Sequence, residues 1–594
     1  MKLYWSNNGD YVPFELLDKQ APEEATVPPP PASNNAPVVL RRSERPIVPN
    51  RTLQDYERVS DDMVTPDGDI VHLALFVDTE PLTYAEASKH EEWRQAMTEE
   101  IASIEKNATW SITQLPPGKK PIAVKWIYKL KHLPNGTIAK HKARLVAKGF
   151  LQKQGIDFSE IFAPVARIET VRLVVAIANH FRWEFVQLDV KSAFLNGKLE
   201  EEVYVEQPQG FTVKGKEDHV LRLNKALYGL RQAPRAWNMR IDEFLNKIGY
   251  SKCTVEHGIY VKGSTQSKLC IVCLYVDDLL ITGSDKREIE RLTNQLSSEF
   301  EMTNLGGLKY FLGLEFTKTK EGMLIHQRKY ISDILKRFNM MNCNPANTPM
   351  ETASSLSNDD ESSNVNSTLY KQMVGSLRYA CNSRPDICHS VGIVSRFMQT
   401  PKLSHMQAVK RILRYLQGTM EYGVLYPNSD GKKGKLIGYS DSDWSGDKVE
   451  RKSTMGYVFT LFDCPISWSS KKQNVVALST CEAEYISACN AACQGIWLQS
   501  LLQEMKIDIE DGVELMVDNK SAINLAKNPI AHGRSKHIET KFHFLRDQVT
   551  KGRIKLSYCS TEKQIADVLT KPLKIDKFKD MRKMLNVFSM ENLN

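Results

Sequence analysis

Two adjacent carboxylates, Asp277 and Asp278, interrupt the apolar stretch LCIVCLYVDDLLITG. The flanking residues read as two buried strands, with the polarity confined to the turn between them. Ionised carboxylates beside a core need a compensating partner. A hard divalent cation would be one, since such ions take carboxylate oxygens. A solvated Asp-Asp turn is the plain alternative. A third acid lies upstream in FVQLDVKSAFLNG. Strand alternation puts Phe185, Gln187 and Asp189 on one face, and Val186, Leu188 and Val190 on the other. Two carboxylates on neighbouring strands could share a pair of metal ions; alone, Asp189 reads equally as an edge-strand charge. A basic hairpin precedes them, carrying Lys125, Lys129, Lys140, Lys142, Arg144 and Lys148, with Asn135-Gly136 as its turn signal. Its cations suit phosphate binding or a solvated face.

A second acidic set follows near the C-terminus: Asp441 or Asp443, Glu482 or Glu484, Asp518, and Asp567. Ser479 and Glu482 match a capping box, which leaves Glu484 without a structural task. Asp518 could N-cap the helix it opens, and Asp567 could be a first-turn acid favoured by the helix dipole. Asp441 and Asp443 share a strand face, so position alone does not choose between them. Four acids ending separate elements of one α/β unit would suit a metal site that activates water.

The elements that position these residues are legible in outline. A helix from about Leu82 places Trp93, Met97, Ile101 and Ile104 on one stripe. Further helices fit ETVRLVVAIANHF, Ile241 to Ile248, YISDILKRF and AVKRILRYLQGT, the last closed by Gly418 as C-cap. From about Lys432, strands and then alternating helix and strand suit an α/β layer. The chain of 594 residues is long enough for roughly three or four domains. Its net charge of +8 permits a polyanionic partner. No apolar run reaches membrane-span length and MKLYWSNNGD lacks signal-peptide form, so the eleven cysteines are expected as free thiols. Cys270 and Cys273 have CxxC spacing but point to opposite faces of a strand, which argues against metal binding there. The first 75 or so residues, including PEEATVPPPPASNNAP and RRSERPIVPNR, read as a linker.

Together these motifs resemble a known family. YVDD, FVQLDVKSAFLNG, HKARLVAKGF, FAPVARIETVR, LYGLRQAPRAW and LGGLKYFLGLEF are similar to the reverse transcriptase of copia-type LTR retrotransposons. GYSDSDW, STMGY, ISWSSKKQ, LSTCEAEY, VDNKSAI and ADVLTKPL resemble the RNase H domain that follows it, and RRSERPIVPN the tail that follows integrase. No protease, zinc-module or integrase-core motif is present in the sequence, so a polyprotein fragment is expected.

The resemblance implies a multidomain α+β and α/β fold: a right-hand polymerase of fingers, palm and thumb, then an RNase H-like domain. The expected bounds are 1–78 for the linker, 79–325 for fingers and palm, 326–431 for a helical thumb or connection, 432–575 for the nuclease and 576–594 for a tail. By likeness, Asp189 and Asp277 hold both palm ions, with Asp278 more peripheral. Arg144, with Lys125 or Lys142, meets the triphosphate. Phe194 lies under the sugar and excludes a ribose 2′-hydroxyl. Tyr228 and Gly229 flank the incoming nucleotide, and Tyr310 to Phe316 form the primer grip. The nuclease match favours Asp441, Glu484, Asp518 and Asp567 as catalytic, the first three as metal ligands. His537 and His543 match the family pattern without a derived role.

The implied activity is RNA- and DNA-directed DNA synthesis with hybrid cleavage by ribonuclease H. It would use two Mg2+ per site, or Mn2+ in their place. The implied partners are RNA template, DNA or tRNA primer, RNA–DNA hybrid and dNTPs, with no membrane. The implied location is a cytoplasmic virus-like particle, the nucleus, or both. The rival expectation is a catalytically silent relic that binds nucleic acid through its basic fingers.

Overall fold

The apolar run around Asp277 and Asp278 folds as two antiparallel strands, Cys270–Tyr275 and Asp278–Gly283, within a six-stranded sheet. In spatial order the sheet contains Met302–Gly306, Phe185–Val190, Asp278–Gly283, Cys270–Tyr275, Ile259–Lys262 and Ser251–Lys252. This computed structural model describes residues 4–5, 11–12, 80–132, 138–263, 265–352, 356–357, 361–428, 433–527 and 543–593. Residues 1–79 and 80–594 form separate units. In the first, Tyr4–Trp5 pairs antiparallel with Tyr11–Val12.

Strand alternation divides the palm core in two. Cys270, Val272 and Leu274 join one buried cluster, and Ile271 and Cys273 another, so the two thiols do face opposite ways. All eleven cysteines are free. The fingers form a hairpin of Val124–His132 and Ile138–Ala147; its Asn135-Gly136 turn lies outside the described residues.

The helix expected from Leu82 is two helices, Tyr84–Ala87 and Glu91–Lys106. A capping box at Thr83 starts the first, and Trp93, Met97, Ile101 and Ile104 are buried on the second. The helix expected from Ile241 begins earlier, at Ala233, with a proline in its first turn, where a missing N–H costs nothing. Gly418 is a C-cap but has φ −74°, outside the left-handed region. What demands glycine there is proximity: an added Cβ would lie 2.7 Å from Pro345 Cβ.

The nuclease sheet runs Cys464–Lys472, Thr454–Leu461, Ile437–Ser442, Val513–Val517, Ile554–Tyr558. The first three strands are antiparallel and the last two join in parallel. The long helix Thr480–Glu504 packs over it. A third sheet joins Tyr310–Phe311, Leu314–Lys318, Gly322–His326, Tyr422–Pro427 and Val587–Ser589. Residues expected as a tail thus supply helix Ile575–Met584 and an edge strand paired with Tyr422–Pro427. Among the described residues no helix is long and apolar enough to cross a membrane.

Helix Ile168–His180 explains how the palm and the C-terminal α/β layer become one body. Every residue from Thr170 to Ala178 is buried, because the helix is apolar on all sides. It packs on the nuclease strand Cys464–Lys472, and one cluster runs from Val171 through Ile466 to Leu585. Arg172 is the polar exception. Its Nε donates to Ile466 O (2.8 Å), one terminal nitrogen donates to Asn382 O (2.8 Å), and the guanidinium lies 3.6 Å from the Trp468 ring centre. Replacing Arg172 by Met orphans the buried Ile466 carbonyl and the part-buried Asn382 carbonyl and is expected to cost about 3 kcal/mol in urea unfolding; a loss below about 1 kcal/mol would mean the packing alone holds the interface.

Candidate active sites

The palm site follows from the ladder. Asp278 lies directly across from Asp189, and the Val190 N–H donates to Asp277 O (2.9 Å). The turn is tight: Val276 has φ 55°, a left-handed conformation strained for a β-branched residue. The buried indole of Trp237 fixes it, donating from Nε1 to Val276 O (2.6 Å). An apolar groove of about 350 Å³ opens beside the turn, lined in part by Phe162, Pro234, Trp237 and Val276.

Burial and crowding raise the carboxyls of Asp189 and Asp278. Burial, then Asp277 and Asp189, pushes Asp278 up to about 6. Burial and Asp277 raise Asp189, against the pull of Lys142, Arg144 and Lys131. The ladder therefore pairs Asp189 with Asp278, while Asp277 is the charge it feels most. Three hard oxygen donors straining against one another fit divalent cations.

The fingers bring the opposing charge. Their buried face carries Ala143, Leu145 and Ala147, so Lys125, Lys129, Lys131, Lys140, Lys142 and Arg144 share the open face. Lys129 faces Lys142 and Lys131 faces Lys140, an arrangement that destabilises a hairpin unless anions intervene. Glu99 relieves Lys140, at 2.9 Å. Burial and Arg144 lower the Lys142 ammonium. Lys142 and Lys131 are lysines whose charge the palm aspartate Asp189 senses. Lys131 escaped the sequence reading, although its period-two spacing from Lys125 and Lys129 marks the same face.

Arg144 lies over the Tyr228 ring at 3.7 Å, and Phe194 packs against Tyr228 with ring centres 5.0 Å apart. Burial raises the Tyr228 hydroxyl to about 12, with Glu100, Asp277 and Asp189 adding to the rise and Arg144 opposing it. Gly229 makes this assembly possible. It has φ 88°, and an added Cβ would lie 2.2 Å from Ala147 O. The Ala147 N–H also donates to Tyr228 O (2.8 Å), stitching fingers to palm. In the segment Tyr310 to Phe316, Tyr310 is exposed while Phe311, Leu314 and Phe316 are buried.

In the nuclease unit, carboxylate oxygens of Asp441, Asp518 and Asp567 lie within 4.8 Å of one another. Among the described residues this is the one such three-acid group; the palm acids are less tightly drawn. Asp441, not Asp443, enters it. Asp443 instead accepts from Thr454 N–H across the neighbouring loop. Asn519 caps the helix Lys520–Lys527 by accepting from Ala522 N–H (3.0 Å), which frees Asp518. Leu478 N–H binds Glu482 (2.8 Å), keeping that acid at the cap. Gln564 donates to Ser440 O (3.0 Å) and seats Asp567 in the core rather than in solvent.

Glu484 borders the group. One oxygen accepts from Ser442 N–H (3.3 Å); the other, Oε2, is buried with no hydrogen-bond partner. Burial, then Asp441 and Asp518, lifts this carboxyl to about 10. An orphaned buried oxygen beside three converging carboxylates is the arrangement a divalent cation would satisfy. His543 N-caps a short helix, Phe544–Thr550, and His537 lies outside the described residues.

Residues 107–352 match the family model for reverse transcriptase (RNA-dependent DNA polymerase). The chain is 42% identical over 563 residues to a retrovirus-related Pol polyprotein from transposon TNT 1-94 of Nicotiana tabacum, covering 93% of this chain and 41% of that one. It is 33% identical over 304 residues to a putative transposon Ty5-1 protein of Saccharomyces cerevisiae, covering 51% of this chain and 98% of that protein. The chain belongs to the Pol family of copia-type retrotransposons. It spans about two-fifths of the length of the first curated Pol relative. A foamy viral protease–reverse transcriptase solved with RNA/DNA hybrid aligns over 82% of this Pol chain and 55% of its own, at 12% identity and TM-score 0.45.

The carboxyls of this Pol chain set a pH dependence. Glu484 sits near 10 when folded, against an ordinary 4.5. Without divalent cation the folded state therefore holds a proton that the unfolded chain releases, so stability falls as pH climbs between those values. Glu484→Gln is expected to reduce that fall in thermal melts in EDTA from about pH 5 to about pH 9. An unchanged slope would place its source elsewhere.

Proposed function

We propose that this chain is an RNA- and DNA-directed DNA polymerase that also cleaves the RNA of RNA–DNA hybrids. The observation that carries the reading is the pairing of opposites at the palm: Asp189, Asp277 and Asp278 at a strained turn, faced by Lys131, Lys142 and Arg144. A site of that polarity suits a nucleotide's triphosphate on one side and cations on the other. Asp189 and Asp277 would hold the metal ions, Asp278 supporting them from across the ladder. Mg2+ or Mn2+ bound there would supply acidity for a primer 3′-hydroxyl and charge neutralisation for a departing pyrophosphate.

The chain's own residues do the positioning. Arg144 and Lys142 draw the triphosphate toward the carboxylates, with Lys125 on the same face of the hairpin. Tyr228, braced by Arg144 and Phe194, forms the floor beneath the sugar. Phe194 fills the space a 2′-hydroxyl would need, favouring deoxynucleotides. The groove beside Val276, with exposed Phe162 at its rim, offers stacking surface for template bases. In the nuclease, Asp441, Glu484, Asp518 and Asp567 would hold the ions, and a hydrolytic water would be activated there. Fingers and palm would occupy 79–325, the connection 326–431 and the nuclease 432–575, with 576–594 returning to the connection sheet.

Primer extension on an RNA template and cleavage of a labelled hybrid separate the two sites. Asp277→Asn is expected to lower extension by more than about a hundredfold and leave cleavage intact; Glu484→Gln is expected to do the reverse. Extension retained by Asp277→Asn would refute the palm assignment. Salt-sensitive nucleic-acid binding with no incorporation by the unaltered chain would instead mark a silent relic. Phe194→Ala is expected to raise ribonucleotide incorporation about tenfold or more, by opening space for one hydroxyl; unchanged selectivity would return Phe194 to core packing.

A further inference from the structure

The nuclease acids already have a cation among them. Lys571 stands four residues after Asp567, and its Nζ lies 2.8 Å from Asp567 Oδ1 and 3.5 Å from Asp441 Oδ2. These two acids come from different elements, the short helix Ile565–Leu569 and the strand Ile437–Ser442. Asp518 and Glu484 sense the same charge. Lys571 is the ion-pair partner of Asp567 Oδ1. Lys577 serves the other oxygen of Asp567 as a true hydrogen-bond donor, at 2.6 Å. Thr570 donates to Asp441 Oδ2. Lys571 is therefore the cation that the two acids share. It is also free to leave, since its side chain is 35% exposed while those of Asp441 and Asp567 are 2% and 0% exposed.

We propose that Lys571 is a built-in counter-ion of the nuclease site, holding Asp441 and Asp567 together until a divalent cation displaces its ammonium from between them. The proposal rests on the metal reading of this site given above. An ammonium and a divalent ion drawn to the same carboxylates compete, because a metal bound at about 2.1 Å repels a positive centre held on the same oxygens. Lys571 and the metal are thus linked negatively through one pair of carboxylates, and the linkage is reciprocal. The lysine keeps the acids converged in the metal-free chain and makes occupancy of the site conditional on cation concentration. Once displaced, the ammonium remains tethered at the mouth of the site, beside the path of an anionic backbone. Lys571 is a positioning residue.

The test uses the full chain carrying Asp189→Asn and Asp277→Asn, so that palm ions do not contribute, and no nucleic acid. Mn2+ binding is titrated calorimetrically, and melting temperature is read with EDTA and with Mn2+. Lys571→Met is expected to bind Mn2+ roughly tenfold tighter, to melt lower in EDTA, and to gain more from Mn2+ than the parent. The Mn2+-induced gain keeps the test readable even if the metal-free variant is only marginally folded. Lys571→Arg, which retains the charge, is expected to restore parental affinity. Unchanged or weaker Mn2+ binding by Lys571→Met overturns the counter-ion role while leaving the metal reading standing. Binding that Asp441→Asn fails to abolish in the parent overturns the metal reading, and the counter-ion role with it.

Discussion

Like charges held at close range in a poorly solvated setting are the constraint on which both sites depend. Water would normally separate such groups, and burial removes that screening. At the palm the restraint is backbone geometry. The ladder sets Asp278 opposite Asp189, and a two-residue turn leaves Asp277 no room to retreat. At the nuclease the restraint is convergence of separate elements, which carry Asp441, Glu484, Asp518 and Asp567 inward to one place. Each arrangement stores electrostatic cost that an ion of opposite sign relieves, which is the physical sense in which these sites are prepared for ligands.

The two sites meet that cost differently. The palm acids are half-buried and balanced across a gap by the fingers hairpin, whose own lysines repel one another. Neither surface is comfortable alone, and a polyanion with cations between them would ease both. The nuclease acids are more deeply buried and carry internal partners in Lys571, Lys577 and Thr570. Strain at Val276 and the close approach at Gly229 are local expenses of the same kind. They persist because a rigid surround, with Trp237 and Ala147 as its contact points, over-determines them.

Rigidity extends beyond each site. Helix Ile168–His180 is buried on every side, and the C-terminal strand Val587–Ser589 returns to pair with Tyr422–Pro427. A continuous core therefore runs from palm to nuclease. Two sites mounted on one such core keep a fixed separation, whereas a flexible tether would let it vary.

Much of this was legible in the letters. Alternation alone placed Asp189 and the two faces of the palm strands, and separated Cys270 from Cys273, because a strand's period is fixed by its backbone. Capping chemistry set Glu482 apart from Glu484, since that signal is local too. Strand position left Asp441 and Asp443 undivided, and only the family resemblance favoured Asp441; the elements packed above decide which one is enclosed. Nor could sequence reveal that Asn519 relieves Asp518 of capping, that the charge of Lys142 is felt at Asp189, or that Lys571 sits between two acids. Local periodicity fixes which way a side chain points along its own element. What it meets there depends on contacts between residues far apart in the chain, and those exist only once the core has closed.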